Sequence, residues 1–292
     1  VTGGSGTSND PYIIEDWIIT GDGSAEDGIF INNTDVHFII RNCTIHGFHH
    51  PDEYYTGITF GNVENGNVER STLYDNHDGI DIRYSSNIRI DNCSCYDYPV
   101  LYADGINCYH STFVTITSYE CYNMYNGVDA SHCLDITIKD AKIHHNSYVG
   151  MGFFSKSKED NLHINVINCS IYNNQHYGIW FEDRIRHQSY SIISGCDIYN
   201  NGESYQGWGI CLQKISSTII ENCNIFSNNA GGIVFDSSNN IVRNCSIFNH
   251  SSDTQPQLTA GVTIHGWIRF LKLSWNNTIT NCDIYNNEIG ID

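Results

Sequence analysis

Apolar and polar residues alternate in short runs along the whole chain, and the runs recur at a regular interval. In Thr218–Ser238 an alternating run reaches Asn222-Cys223 and continues through Ile225. It crosses the polar Ser227-Asn228-Asn229 and restarts at Gly232-Ile233-Val234-Phe235. The next copy begins at Ile241, and its Cys245 lies 22 residues after Cys223. Runs of about four to six residues with period-two alternation, rich in Ile, Val, Phe and Tyr, predict strands. Self-similarity at a period of about 20–50 residues predicts a solenoid.

Two columns of the repeat run the length of the chain. One reads Cys43, Ser71, Cys93, Tyr119, Ala141, Cys169, Cys196, Cys223, Cys245, Cys282. Its shortest spacing, 22 residues, is the bare coil, and longer spacings carry insertions. The other is a glycine followed by an apolar residue, at Gly28, Gly57, Gly79, Gly105, Gly127, Gly150, Gly178, Gly209, Gly232, Gly261 and Gly290. A leucine-rich repeat is the nearest rival, but Leu is scarce and each coil holds strand patterns only. The pattern therefore predicts an all-β fold, one parallel β-helix domain of about ten to eleven coils. Residues 1–26 are expected to cap the N-terminal end and residues 27–292 to form the helix. Val1 is not an initiator Met and Asp292 ends inside a Gly-Ile strand, so the chain is expected to be a segment of a longer protein.

The stretch Ser8-Asn9-Asp10-Pro11-Tyr12-Ile13-Ile14-Glu15-Asp16-Trp17, followed by repeats such as Ile220-Glu221-Asn222-Cys223-Asn224-Ile225, resembles the right-handed parallel β-helix proteins. Within them it is most similar to the NosD-like, carbohydrate-binding and sugar-hydrolase-type repeats of surface proteins. The resemblance covers nearly the whole chain and implies the scaffold, a right-handed helix. It spans pectinases, polysaccharide lyases, epimerases, tailspikes and non-enzymatic surface proteins, so it implies a range of activities. Tyr102-Ala103-Asp104-Gly105-Ile106-Asn107 resembles the Asn-Thr-Asp-Gly pattern of polygalacturonases, but the paired Asp, the Gly-His-Gly and the Arg-x-Lys of that group are missing in register.

The net charge is −19, with 14 Lys plus Arg against 33 Asp plus Glu. Such a surface repels nucleic acid and anionic membrane, and no apolar run approaches the roughly 18 residues of a membrane-spanning helix. An extracellular or cell-surface location is the expectation. Twelve cysteines fit no paired zinc signature. The column cysteines are expected to stack inward as small apolar groups, while Cys95 and Cys121 are the best disulfide candidates. The Asn before the column Cys (Asn42, Asn92, Asn168, Asn222, Asn244, Asn281) is expected to form a buried amide ladder. Burial would keep the sequons at Asn42, Asn92, Asn168 and Asn244 unmodified and leave Asn32, Asn249 and Asn276 as the better acceptors.

Insertions flank the Gly-Ile strand on both sides. His46–Thr56, Tyr96–Asp104, Asn200–Trp208 and Asn249–Ala260 precede it; Phe154–His163, Glu182–Tyr190 and His265–Thr278 follow it. Repeat-protein insertions map to one face, often the binding face, so a groove floored by these strands is expected. With Ile80 and Ile82 inward, alternation turns Asp81 outward, in a row with Asn107, Asp129 and Trp180. Arg83, Tyr109, Phe154, Glu182 and Gln213 form the next outward column, and Asp78, Asp104, Tyr177 and Trp208 border the row just before the glycines. Carboxylates on neighbouring coils stand about 5–10 Å apart, the range in which paired acids hydrolyse glycosidic bonds. Asp81, Asp104 and Asp129 are the candidate catalytic residues. Asp78, Arg83, Asn107, Tyr109, Tyr177, Trp180, Glu182, Trp208 and Lys214 are the candidate substrate contacts, and polysaccharide is the expected partner. A basic rim of Lys156, Lys158, Arg184, Arg186, His187 and Lys214 suits an acidic polymer. No metal or cofactor is required, although Asp and Asn oxygens also suit Ca²⁺. The apolar insertion His265–Thr278, or the two ends, offers a route to self-association. The competing class is a structural sheath, stalk or filament protein.

Overall fold

The computed structural model describes residues 1–21, 26–50, 54–98, 100–155, 163–183, 189–203, 207–251, 259–264 and 274–292. Among them the chain winds as a parallel β-helix with three strands per coil, and each of the three resulting sheets has eleven strands. Every pairing between consecutive coils is parallel and in register, for example Ile198 with Ile225 and Ile225 with Ile247. The first sheet starts with Tyr12–Glu15, the second with Ile18–Thr20 and the third with Ile29–Thr34. The first coil therefore begins inside the segment expected as a cap: Tyr12 already pairs with Phe38 and Ile18 with Thr44. The outer edge of Tyr12–Glu15 is met by an antiparallel bridge from Gly3 to Ile13. No described helix is long and apolar enough to cross a membrane.

A central column of side chains fills each coil. Cys43, Cys93, Cys169, Cys196, Cys223 and Cys245 are buried and stacked, with Ser71, Tyr119 and Ala141 in the same file. The short strands of the second sheet contribute Ile171, Ile198, Ile225 and Ile247, all fully buried. Ile225→Ala removes a side chain from a file that cannot close up, because its neighbours are fixed by strand pairing. A loss of about 2–5 kcal/mol in unfolding free energy is expected, and the core thiols should resist labelling until the protein unfolds. Rapid native-state labelling of Cys196 or Cys223 would contradict the inward assignment. Cys95 and Cys121 face each other on adjacent strands as thiols, with no disulfide among the described residues.

The amide ladder is real but occupies another column. Asn146, Asn174, Asn201 and Asn228 are buried, and the side-chain amides of the first three each donate to the next coil's Asn carbonyl oxygen at 2.9–3.0 Å; that of Asn228 donates to the Ile198 carbonyl. The Asn residues before the column Cys are exposed instead, with φ of 52–55°. Their bends require left-handed backbone, which Asn tolerates better than other side-chain-bearing residues. The burial argument against modification at Asn42, Asn92, Asn168 and Asn244 therefore falls. A second file absent from the sequence reading lies on the outer face of the second sheet. Ten rings stack from His46 through Tyr74, Tyr96, Tyr122, His144, Tyr172, Tyr199, Phe226 and Phe248 to Tyr285. Their centroids are 4.6–5.5 Å apart and their planes within 14°.

Candidate functional site

The third sheet carries the Gly-Ile strands, and its pairing fixes what each coil presents outward. Thr59, Asp81, Asn107, Asp129, Gly152, Trp180, Cys211, Val234 and Thr263 are successive register partners. Gly61, Arg83, Tyr109, Ser131, Phe154, Glu182 and Gln213 are the partners two residues on. Ile80 and Ile82 are in the core, so Asp81 lies on the outward side of its strand.

Asp81 is nonetheless only 1% exposed. One carboxyl oxygen, Oδ2, meets the Arg83 guanidinium at 2.5 Å, and the other, Oδ1, has no hydrogen-bond partner. The buried hydroxyl of Thr59, its register partner, is likewise unpaired. Loss of water pushes the Asp81 carboxyl up to about 7, with Arg83 opposing and Asp78 adding to the shift. Desolvation is the dominant cause, the way proteins keep a carboxylic acid protonated near neutrality.

The other carboxyls have different surroundings. Asp78 Oδ1 accepts the Asp104 backbone N–H at 2.8 Å and lies 3.2 Å from Nδ1 of His77. Asp104 Oδ1 accepts the Asn126 side-chain amide at 2.9 Å, and Asn126 Oδ1 accepts the Val149 N–H at 3.2 Å. These acids tie one coil to the next just ahead of the glycines. Burial, with repulsion from Asp129 and Asp78, holds Asp104 well above the carboxylate range. Asp129 is half-buried, and its Oδ1 accepts the Ser131 hydroxyl at 3.3 Å. Asp81 and Asp129 thus stand as one desolvated and one more solvated acid, two strand spacings or about 9.5 Å apart along the backbone.

An aromatic wall begins immediately beyond Asp129. The Phe154 ring lies over Gly152, where an added Cβ would sit 2.6 Å from it, and meets Trp180 edge-on at 5.1 Å. Tyr177 and Tyr148 approach the same indole at 5.2 and 6.3 Å. Trp180 is half-buried, and its indole N–H has no partner. Trp208 departs from expectation: it is buried against Cys211, Ala230 and Val234, so it supports the floor and offers no open face. Glu182 and Gln213 are half-buried side by side, and the Lys214 backbone N–H donates to the Asp236 carboxylate. Of the expected basic rim, Lys156, Lys158, Arg184, Arg186 and His187 lie outside the described residues, as does most of the apolar insertion from 265 to 273. Among the described residues no three His, Cys, Asp or Glu side chains converge as a metal site.

His77 did not stand out in the sequence. It is buried under the Tyr54 ring at 4.4 Å, with Nδ1 turned to the Asp78 carboxylate and Nε2 without a hydrogen-bond partner. Its only sequence signal is adjacency to Asp78-Gly79.

Residues 27–183 and 104–292 each match a family profile described as a right-handed β-helix region. No curated protein matches the chain. Among solved structures it is similar to the A-module of the mannuronan C-5 epimerase AlgE4 of Azotobacter vinelandii. That match has a TM-score of 0.76 at 14% identity and covers 97% of this chain and 79% of the other. It is also similar to the periplasmic alginate epimerase AlgG, with a TM-score of 0.64 at 13% identity over 87% and 70% of the two chains. The catalytic domain of a GH87 α-1,3-glucanase gives a TM-score of 0.63 at 14% identity over 89% and 54%. Identities this low establish shared fold alone.

Proposed function

The chain belongs to the right-handed β-helix family, and we propose that it is an extracellular or cell-surface module that binds a polysaccharide along the third sheet and cleaves it by acid–base chemistry. One observation carries the reading: a carboxyl on the outward side of the floor, Asp81, is held near neutrality as an acid with one oxygen uncommitted. A general acid needs such a value to protonate a leaving oxygen. Asp129, more solvated and two coils along, is the partner that activates water. The backbone separation of about 9.5 Å approaches the roughly 6.5–9.5 Å that an inverting glycosidase leaves between its carboxyls. The names of the three structural relatives, two epimerases and a glucanase acting on polysaccharides, support the polymer class, and the periplasmic one supports a location outside the cytoplasm. The reaction rests on this chain's own side chains.

The test is a glycan array followed by product analysis on each hit, with and without added Ca²⁺. Shorter products with inverted anomeric configuration are expected; a bound but unaltered polymer would leave a binding module without chemistry. Trp180→Ala should weaken binding by roughly tenfold, about 1–1.5 kcal/mol of lost aromatic contact, and spare turnover of bound chain. An unchanged affinity would remove Trp180 from the groove. A second reading, a non-enzymatic surface rod, draws on the ten-ring file, which runs along ten of the eleven strands of the second sheet. Absence of any glycan hit, together with concentration-dependent assembly, would favour it.

A further inference from the structure

The coils that hold Asp81, Asn107 and Asp129 share another feature, three residues further along each strand. Tyr84, His110 and His132 occupy equivalent turns: the Tyr84 N–H donates to the carbonyl of Tyr109, that of His110 to Ser131, and that of His132 to Phe154. All three have left-handed backbone, with φ of 52°, 48° and 59°. In the two preceding coils the same turn is made by Asn33 and Asn62, whose amides bond to each other. Asn and His both suit that backbone, whereas the bulkier Tyr84 is held there at an energetic cost.

The rings are built into a rigid strip. Tyr84 stacks on His110 at 5.3 Å and His110 on His132 at 4.6 Å, with planes within 7°. Tyr109 braces all three edge-on at 4.4–5.8 Å. Stacking spends the ring faces on one another; the edges of Tyr84, which is 60% exposed, and of His110, also exposed, reach solvent, and His132 is half-buried. The edges carry the phenol O–H and imidazole nitrogens, all able to hydrogen-bond. Arg83 stands between this strip and Asp81, ion-paired to the acid and itself exposed.

We propose that Tyr84, His110 and His132 form the second wall of the groove, each contacting one sugar, so that the site selects a linear homopolymer running along the helix axis. The inference rests on the polysaccharide reading above and adds the substrate class. Its basis is register. Asp81 with Tyr84, Asn107 with His110, and Asp129 with His132 repeat one arrangement at the strand spacing of about 4.8 Å. A sugar in an extended chain advances by a similar length, so successive sugars meet equivalent contacts. A polymer whose repeat alternates two sugars would place unlike groups against like ones.

The experiment exploits the residue that other coils use at this turn. Tyr84→Asn, His110→Asn, His132→Asn and the triple variant are made, and their thermal stability and binding are measured. Calorimetric titration uses mannuronate, galacturonate and α-1,3-glucose oligomers of one to six sugars, with hyaluronan oligomers as the alternating polymer. One homopolymer series is expected to bind, with affinity climbing steeply from one sugar to three. The triple variant should lose at least tenfold in affinity while its melting temperature stays level or rises. A triple variant that binds as the wild type does, or one that only loses stability, makes the stack structural and overturns the inference. Equal affinity for hyaluronan oligomers overturns it as well. If the strip variants bind normally but Asp81→Asn stops cleavage, the groove reading survives alone; if the wild type binds no probe, both fall.

Discussion

Asp81→Asn is expected to lower turnover of the polysaccharide by roughly 10²–10⁴-fold, the usual contribution of a general acid, with binding largely retained. In the wild type, activity should fall as pH rises through about 7, where the acid loses its proton. The same substitution should raise stability, and the sign follows from the proton. Folding lifts this carboxyl from an ordinary 3.8 to about 7. Below about pH 4 both folded and unfolded chains hold the proton, and the buried acid carries no penalty. Between 4 and 7 the unfolded chain ionises first, so the folded state loses ground progressively. Above 7 the loss is complete, and the Arg83 pairing has already limited it. Asn, which never ionises, should therefore be more stable than Asp at pH 8 by a few kcal/mol, and the gain should vanish near pH 4. Paired denaturation curves at the two pH values check this. A variant that is less stable at pH 8 would mean that Asp81 serves the fold as an ion-pair partner, and its assignment as the acid would fail.

Gly127→Ala should be strongly destabilising. A Cβ at that position would stand 2.2 Å from the Ile143 side chain, 2.6 Å from the Gly150 carbonyl oxygen and 3.2 Å from the Asn146 amide. Ile143 belongs to the inner file of the second sheet and Asn146 to the amide ladder. The Gly150 oxygen accepts the Val128 N–H at 3.1 Å, so none of the three neighbours can retreat without breaking a coil-to-coil contact. Overpacking in so constrained a place costs about 3 kcal/mol or more, and failure to accumulate as folded protein is the extreme form. Chemical denaturation of Gly127→Ala beside Gly3→Ala, whose position is open, gives the comparison. Equal stabilities would show slack in this strand that the geometry denies.

The glycine column also shows how far the sequence reached. Its periodicity announced the coil, but glycine is required because its missing side chain points into the crowded interior. At Gly127, Gly150, Gly178 and Gly209 that reason depends on Ile and Asn side chains and on the next coil's glycine carbonyl, and at Gly79 and Gly105 on the Cys95 and Cys121 thiols. The outward row was legible because alternation is a local rule: once Ile80 and Ile82 face the core, Asp81 cannot. Pairing then carried Asp81, Asn107, Asp129 and Trp180 into one line without any further information from the sequence. The Cys file was legible for the same reason.

What a residue experiences at its place in the line was not legible. Asp81 and Asp129 are the same side chain in the same column, yet one is desolvated beneath Arg83 with its oxygen unpaired, and the other keeps partial access to water. Trp180 and Trp208 both belong to the Gly-Ile strands, yet Trp208 is buried among Cys211, Ala230 and Val234. Asn168 and Asn174 are six residues apart; one is exposed at a left-handed bend and the other is in the buried ladder. Sequence by itself determined the period, the strands, their register and the side of the sheet on which each residue falls, because these follow from backbone geometry repeated coil by coil. Burial, proton affinity and the ring strip beside the acids were decided only by tertiary structure, because each depends on side chains brought from neighbouring coils 22 or more residues away.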